Sequence, residues 1–306
     1  MHDLAVFCGS PCLAALDGPE KRLQDHMVST VSDYLERSPT AQALARLDLG
    51  AGRTVTIWEN RTDRIFYDKP KGHTFSLYLK GGTGTRRLDA GGITGWPGAI
   101  CVLPEGQTSD WEITTPFRFV HLVLPDEPLR AWFSRIHDRD ARYFDVTEIM
   151  YGVAPAMTAL LSRLAHAAKM NDPFSADGAV AELIYRLPER PKELQGGLTA
   201  KQLRRTDEWI DANLGTSIRL SDLAAVAGLS EFHFHRMFRT SRGTSPHKWV
   251  MMRRIDAAKD RLSVNGSISD IAAACGFSCQ SHLTRVFKAQ TGMTPSVYRR
   301  RRSGVQ

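Results

Sequence analysis

Cysteine is scarce in this chain of 306 residues: there are five, an odd number, at Cys8, Cys12, Cys101, Cys275 and Cys279. No two of them have the C-x-x-C spacing of a metal or redox motif, which argues against a disulfide framework and for a reducing, cytoplasmic setting. Cys275 falls on the apolar strip of a helix and is expected in the core, whereas Cys279 begins the next helix and is expected at the surface. Long apolar runs are absent: nowhere do about 18 apolar residues follow one another, and no basic segment leads into an apolar one at the N-terminus. Neither membrane spanning nor export is expected. Acidic residues thin out toward the C-terminus. From Leu198 onward there are 18 Lys and Arg against 8 Asp and Glu, or +10, which leaves 22 against 25, or −3, for residues 1–197. A basic last third points to a polyanion, most often nucleic acid, with a merely solvated surface as the alternative where no motif accompanies it.

What is present, above all, is a repeat. SDLAAVAGLSEFHFHRMF at 221–238 returns at 269–287 as SDIAAACGFSCQSHLTRVF, so that Ser221/Ser269, Asp222/Asp270, Ala224/Ala272, Gly228/Gly276 and Ser230/Ser278 pair at an offset of 48. Beyond Ser278 the offset is 49, through Arg236/Arg285, Phe238/Phe287, Arg239/Lys288, Gly243/Gly292, Pro246/Pro295 and Trp249/Tyr298, with one residue inserted before Arg285. Each copy reads as two short helices joined at a glycine. Ser221-Asp222 supplies a capping oxygen at a helix start, Leu223, Ala224 and Ala227 give a small apolar face, Gly228 suits a left-handed helix end, and Ser230 caps the next helix. That is a helix-turn-helix. In its second helix Phe234, Met237 and Phe238 share one face at spacings of three and four, and Phe232, His235, Arg236 and Arg239 point elsewhere. A polar, basic outer face suits a helix that reads DNA.

The length exceeds what one ordinary core holds, so two domains are expected, in a chain whose 42% hydrophobic and 24% charged residues describe a soluble globular protein. In residues 1–45 a helix is plausible from Glu20 to Glu36, on Leu23, Met27, Val31, Tyr34 and Leu35. From Leu44 to Pro125, runs such as TVTIWEN, TFSLYLKG, AICVLPEG and FRFVHLVLP are short, apolar or alternating, and separated by glycine and proline turns. They predict a small β-sandwich or barrel. Helices follow: one on Leu129, Trp132, Phe133 and Ile136, a longer one on Met157, Leu160, Leu161, Leu164 and Ala168, and a third from Asp177 to Leu187. These either pack on the β-domain or pair with a second copy through residues 147–187. LPERPKELQGG, with two prolines and a Gly-Gly pair, marks the domain boundary, giving residues 1–187, a linker at 188–197 and a second domain at 198–306. In that second domain Thr199 to Asn213 is a supporting helix. Ser245-Pro246 opens a joining helix through Trp249, Met252, Ile255, Ala258 and Leu262, long enough to hold two reading helices about one DNA turn, ~34 Å, apart. Thr294-Pro295 opens a last short helix that ends in the basic run Arg299 to Arg302.

Taken together, D-L-A…G-L-S…R-M-F-R…G-T-S-P…R-R-I-D-A-A-K-D-R-L…G-F…Q-S-H-L-T-R-V-F-K…G-M-T-P…Y-R resembles the DNA-binding domain of the AraC/XylS transcription regulators over Leu198 to Arg300. The resemblance implies an all-α, seven-helix domain whose two reading helices enter successive major-groove segments. By position it makes Phe232, His235 and Arg236 base readers in the first helix, and Gln280, Ser281, Thr284 and Arg285 in the second. Arginine suits guanine O6 and N7, glutamine suits adenine N6 and N7, and Phe232 or a threonine methyl meets the thymine methyl. One of Arg236 and Arg285 acting instead as an internal anchor is the alternative. Arg239, Lys288, His233 and His282 are assigned to phosphates.

The same resemblance, carried by His73, Trp96-Pro97-Gly98, Pro104-Glu105-Gly106 and Trp111, implies a cupin-like β-barrel as a sensory or dimerising N-terminal domain, and so an α+β protein. A metal-binding cupin needs His-x-His with a carboxylate and a further histidine. Only His73 and His121 are on offer, so packing residues are expected there, with no metal and no cofactor. Trp58, Phe75, Tyr78, Trp96, Trp111 and Phe119 either line a pocket for a small organic effector or fill a solid core. The expectation is a sequence-specific DNA-binding regulator, an activator responsive to an effector, working on double-stranded DNA with RNA polymerase as protein partner, and not an enzyme. A cupin-type metal enzyme fused to a DNA-binding domain, and a regulator controlled by abundance or a partner, are the alternatives.

Overall fold

The computed structural model describes residues 29–91, 93–188, 194–264 and 266–303. Cys8, Cys12, Leu23 and Met27 lie outside them. The first described helix, α1 (Val31–Arg37), does not continue from Glu20: Thr30 is extended (φ −81°, ψ 166°) and caps it, accepting from the Asp33 N–H while its own N–H donates to the Asp33 carboxylate at 2.6 Å. Reciprocal capping of this kind sets a helix start.

Nine strands follow among the described residues: β1 (Gln42–Asp48), β2 (Thr54–Asn60), β3 (Asp63–Tyr67), β4 (His73–Lys80), β5 (Thr85–Arg87), β6 (Ile100–Leu103), β7 (Ser109–Ile113), β8 (Phe117–Leu124) and β9 (Ile149–Gly152). They form a six-stranded antiparallel sheet in the order β1-β2-β8-β4-β6-β9 and a three-stranded one in the order β3-β7-β5. Among the described residues no ladder joins the two sheets into a ring, so the expected barrel is two open sheets facing one another. Strand alternation divides the large sheet into two faces. Val55, Ile57, Phe75, Leu77, Val120, Leu122 and Leu124 point to one core, and Trp58, Tyr78, Phe117 and Phe119 to the other.

The first core is covered by helices α2 (Asp126–His137), α3 (Pro155–Lys169) and α4 (Pro173–Tyr185). Leu160, Leu161 and Leu164 of α3 are buried against the sheet and α4, so the leucine stripe of residues 147–187 is engaged within the chain. The second core lies between the sheets, with Leu35 of α1 at its edge.

The C-terminal part is all helical, with seven helices among the described residues: α5 (Ala200–Ala212), α6 (Leu220–Ala227), α7 (Glu231–Arg242), α8 (Pro246–Arg261), α9 (Ile268–Ala274), α10 (Gln280–Thr291) and α11 (Pro295–Arg302). Two apolar clusters hold it. One gathers Leu203, Ile210, Leu223, Phe234, Phe238, Trp249 and Val250, and the other Ile255, Ala258, Leu262, Ile271, Leu283, Phe287 and Tyr298. The N-terminal half of α8 belongs to the first and its C-terminal half to the second. Residues 194–197 run along the β-rich part, where Arg142 donates to the carbonyls of Gln195 at 2.7 Å and Gly196 at 2.9 Å.

Candidate nucleic-acid interface

Each helix-turn-helix forms for reasons local to its sequence. In the first, the Asp222 carboxylate accepts from the Arg219 N–H at 2.9 Å, Gly228 ends α6 at φ 69°, and Ser230 accepts from the His233 N–H to start α7. In the second, Ser267 caps α9 and Gly276 stands at φ 74°. The extra residue of this copy falls at the cap itself: Cys279 takes the place that Ser230 holds in the first copy. Ser278, left before the cap, pairs its hydroxyl with His282 Nδ1 at 3.1 Å.

Burying Phe234 and Phe238 of α7 fixes which residues face out. Phe232, 80% exposed, stands with His233, His235, Arg236 and Arg239 in solvent. In α10, Leu283 and Phe287 are buried, Gln280, Ser281, Arg285 and Lys288 are exposed, and Thr284 and His282 are half-buried. His282 leans on the Phe277 ring at 5.4 Å. All eleven residues expected at DNA thus lie on the outer sides of the two helices, and among the described residues neither Arg236 nor Arg285 is drawn into an ion pair. Between the two modules runs an open groove of about 710 Å³, whose lining includes Arg219, His235, His247, Arg254 and Ser278. Arg219 and His247 escaped the sequence reading because one caps α6, the other lies in the first turn of α8, and the repeat has Ser267 and Ser296 in their places. The exposed Cys279 thiol is held below its ordinary range by N–H groups of the following turn, His282 first, and by Arg285.

Arg242, at the end of α7, is the internal anchor of this region. It is 1% exposed, pairs with Asp207 of α5 and lies 4.7 Å over the Trp249 ring. Trp249 in turn donates to the other Asp207 oxygen at 2.8 Å. Nothing local to the repeat marks Arg242, since Thr291 occupies its place in the second copy.

In the β-rich part, Tyr78, Trp111 and Phe119 line a cavity between the sheets together with Tyr67 and Phe117. Trp58 is buried in the same core and Trp96 packs on Tyr151 at 6.1 Å, but neither lines the cavity. Phe75 is on the opposite face of the sheet: Ser76 and Tyr78 alternate with it along β4, and the sequence pattern gave no sign of the phase. The free space is about 30 Å³, room for one or two waters. Two buried polar atoms beside it, His121 Nδ1 and Thr85 Oγ1, have no hydrogen-bond partner among the described residues. Burial holds His121 neutral, its pKa down to about 3, and pushes the Cys101 thiol up to about 11. Among the described residues no side chain charged at neutral pH lines the cavity.

His73 is elsewhere occupied. Its Nε2 pairs with Asp126 at 2.9 Å and its Nδ1 accepts the Glu105 N–H at 3.0 Å, joining β4 to the start of α2. It is a structural link rather than a packing residue. Among the described residues no three His, Cys, Asp or Glu side chains converge as metal ligands, and no helix is long and apolar enough to cross a membrane.

Residues 223–301 match the family model described as "Helix-turn-helix domain". The chain is 33% identical over 93 residues to the probable transcriptional regulator LumQ of Photobacterium leiognathi, covering 30% of this chain and 38% of LumQ. It is 36% identical over 92 residues to the HTH-type transcriptional activator AarP of Providencia stuartii, covering 30% of this chain and 68% of AarP. Similarity to the transcriptional activator NphR of a Rhodococcus species, 29% over 245 residues, covers 76% of this chain and 71% of NphR, and so extends into the β-rich part.

Proposed function

Because the chain belongs to the AraC-type family of DNA-binding transcription regulators, we propose that it is an effector-responsive activator in which residues 198–306 read DNA, residues 1–187 sense, and 188–197 link the two. The observation that carries the reading is the pair of exposed polar and basic faces on α7 and α10, each standing on its own buried aromatic core. Arg236 and Arg285 read bases, Gln280, Ser281, Thr284, Phe232 and His235 contribute at neighbouring positions, and Arg239 and Lys288 hold phosphates. RNA polymerase is the proposed protein partner and the cytoplasm the proposed setting. A homodimer through residues 147–187 would use the polar outer faces of α3 and α4.

The effector belongs in the cavity between the sheets. With no charged lining residue, aromatic walls, and unpartnered polar atoms on His121 and Thr85, the site suits an uncharged ring compound with one polar group. The small free volume means that the ligand enters by displacing side chains, α1 among the elements that move. The same small volume favours a second reading, in which the core is solid and the protein acts without a ligand.

The DNA assignment is tested by selecting duplexes from a random library with the full chain. Arg236→Ala and Arg285→Ala should each cost about 1–3 kcal/mol on a selected duplex and blur preference at one base, whereas Arg239→Ala should weaken selected and random DNA alike. Binding should also fall steeply with salt. If the wild-type chain enriches no sequence, the reading fails.

A further inference from the structure

The two reading modules have separate apolar cores, and among the described residues α8 is the one helix that runs through both. A loop contact adds to it: Gly276 abuts the Leu214 carbonyl, to which Arg254 also donates at 3.1 Å. Beyond these, both modules are seated on the β-rich part, and each by the same point, the glycine that ends its reading helix. Gly243 ends α7 at φ 71° and Gly292 ends α10 at φ 76°. A Cβ on Gly243 would stand 2.9 Å from Cβ of Arg130, and one on Gly292 would stand 2.6 Å from the carbonyl oxygen of Asp48. Approaches this close leave no slack.

At α10 the seat is the turn between β1 and β2. Gly50 lies so near that a Cβ there would be 2.6 Å from the Ala289 carbonyl oxygen, and the Ala51 N–H donates to that same oxygen at 2.7 Å. Arg53, 5% exposed at its side chain, donates to the Gln290 carbonyl at 2.7 Å and to Asp177 of α4 at 2.6 Å, with its guanidinium 4.6 Å from the Trp132 ring. A cation at the last carbonyls of a helix also meets the negative end of its dipole. At α7 the bond runs the other way. Arg242 reaches out of the reading helix and donates to the Ser134 hydroxyl at 3.0 Å and the Ser134 carbonyl at 3.3 Å at the end of α2.

We propose that Arg53 and Arg242 are positioning residues for DNA reading: by fixing the ends of both reading helices to one base, the β-rich part sets the spacing and relative angle of the two DNA-contacting faces. The assignment rests on the DNA-reading role proposed above. It makes the N-terminal part a component of sequence discrimination and not only a sensor, because α7 and α10 are held in register with each other through the β-rich part, α7 on α2 and α10 on the β1–β2 turn, as well as through α8. Arg53 is the cleaner probe, since Arg242 also pairs with Asp207 inside the reading module.

The test uses the full chain and a duplex that the wild-type chain has selected from a random library. Derivatives of that duplex carry one base pair inserted or removed between the two contacted segments. Wild type should bind these about tenfold more weakly than the selected duplex. Arg53→Ala should bind selected and respaced duplexes within about threefold of each other, with its affinity for random DNA unchanged. Gly50→Ala, which loosens the same seat from a different residue, should behave likewise, and Arg53→Lys should recover part of the discrimination. Retention of full spacing discrimination by Arg53→Ala and Gly50→Ala, with amides of 286–292 exchanging faster as evidence that the seat has opened, overturns this proposal alone. An equal loss on selected, respaced and random DNA overturns it as well. A wild-type chain that enriches no sequence overturns the DNA-reading role and this proposal with it.

Discussion

His121 is the residue whose burial has the most direct thermodynamic consequence. Its imidazole is neutral in the folded chain, with a pKa of about 3 imposed by burial, against an ordinary value of 6.5. Between those two values the unfolded chain takes up a proton that the folded chain refuses, so stability is intact above pH 6.5 and is lost as pH falls toward 3. The slope from this one group approaches about 1.4 kcal/mol per pH unit. Denaturant unfolding of wild type and His121→Leu at pH 7 and pH 5 should therefore give a steeper fall for wild type; parallel falls would mean that the ring is charged or wet in the folded state. Single residues also mark where sequence reasoning stops. That Arg236 and Arg285 face outward was legible because the repeat aligns them on the faces opposite the buried aromatics. Arg242 and Arg53 were not, because a guanidinium announces neither its depth nor a partner more than a hundred residues away, as Asp177 is from Arg53.

At the scale of elements, the two turn glycines look alike in sequence and differ in surroundings. Gly228 (φ 69°) has open space where a Cβ would go, so Gly228→Ala should cost only the left-handed backbone penalty of roughly 1 kcal/mol. Gly276 (φ 74°) would bring a Cβ to 2.2 Å from the Leu214 carbonyl oxygen, and Gly276→Ala should lower the melting temperature of the full chain distinctly more. Equal shifts would show that the loop contact between the modules gives way freely. The helices of the C-terminal part were legible to within a residue or two, since caps, glycines and apolar spacing are all local signals. In the β-rich part the apolar strands β2, β4, β6 and β8 stood out. The short mixed strands β3, β5 and β7, and β9, which pairs with β6 across some fifty residues of chain, did not. Whether two sheets close into a ring depends on long-range pairing that alternation does not encode, and so did the phase that carried Phe75 away from the cavity.

For the whole molecule, the uneven charge has a second effect besides attracting DNA. Carboxylates of the acidic part meet cations of the basic part across their contact: Glu127 with Lys248 at 2.8 Å, Asp177 with Lys259 at 3.3 Å, and Asp172 with Arg301. The acidic part is therefore expected to compete with DNA phosphate for some of the same cations. Glu127 is a direct test, because Lys248 sits in the first turn of α8, next in the chain to His247, which lines the groove between the modules. Glu127→Gln should raise affinity for random DNA at low salt and steepen the double-logarithmic salt dependence by up to about one unit. An unchanged slope would place Lys248 outside the field of the DNA.

The division of α8 between two cores also makes it a lever. Its 16 residues span about 24 Å, so a tilt of about 5° about one end carries the other through about 2 Å, more than half the ~3.4 Å rise of one base pair. A displacement too small to disturb any strand pairing is thus magnified, at the reading faces, to the scale on which one base is told from the next.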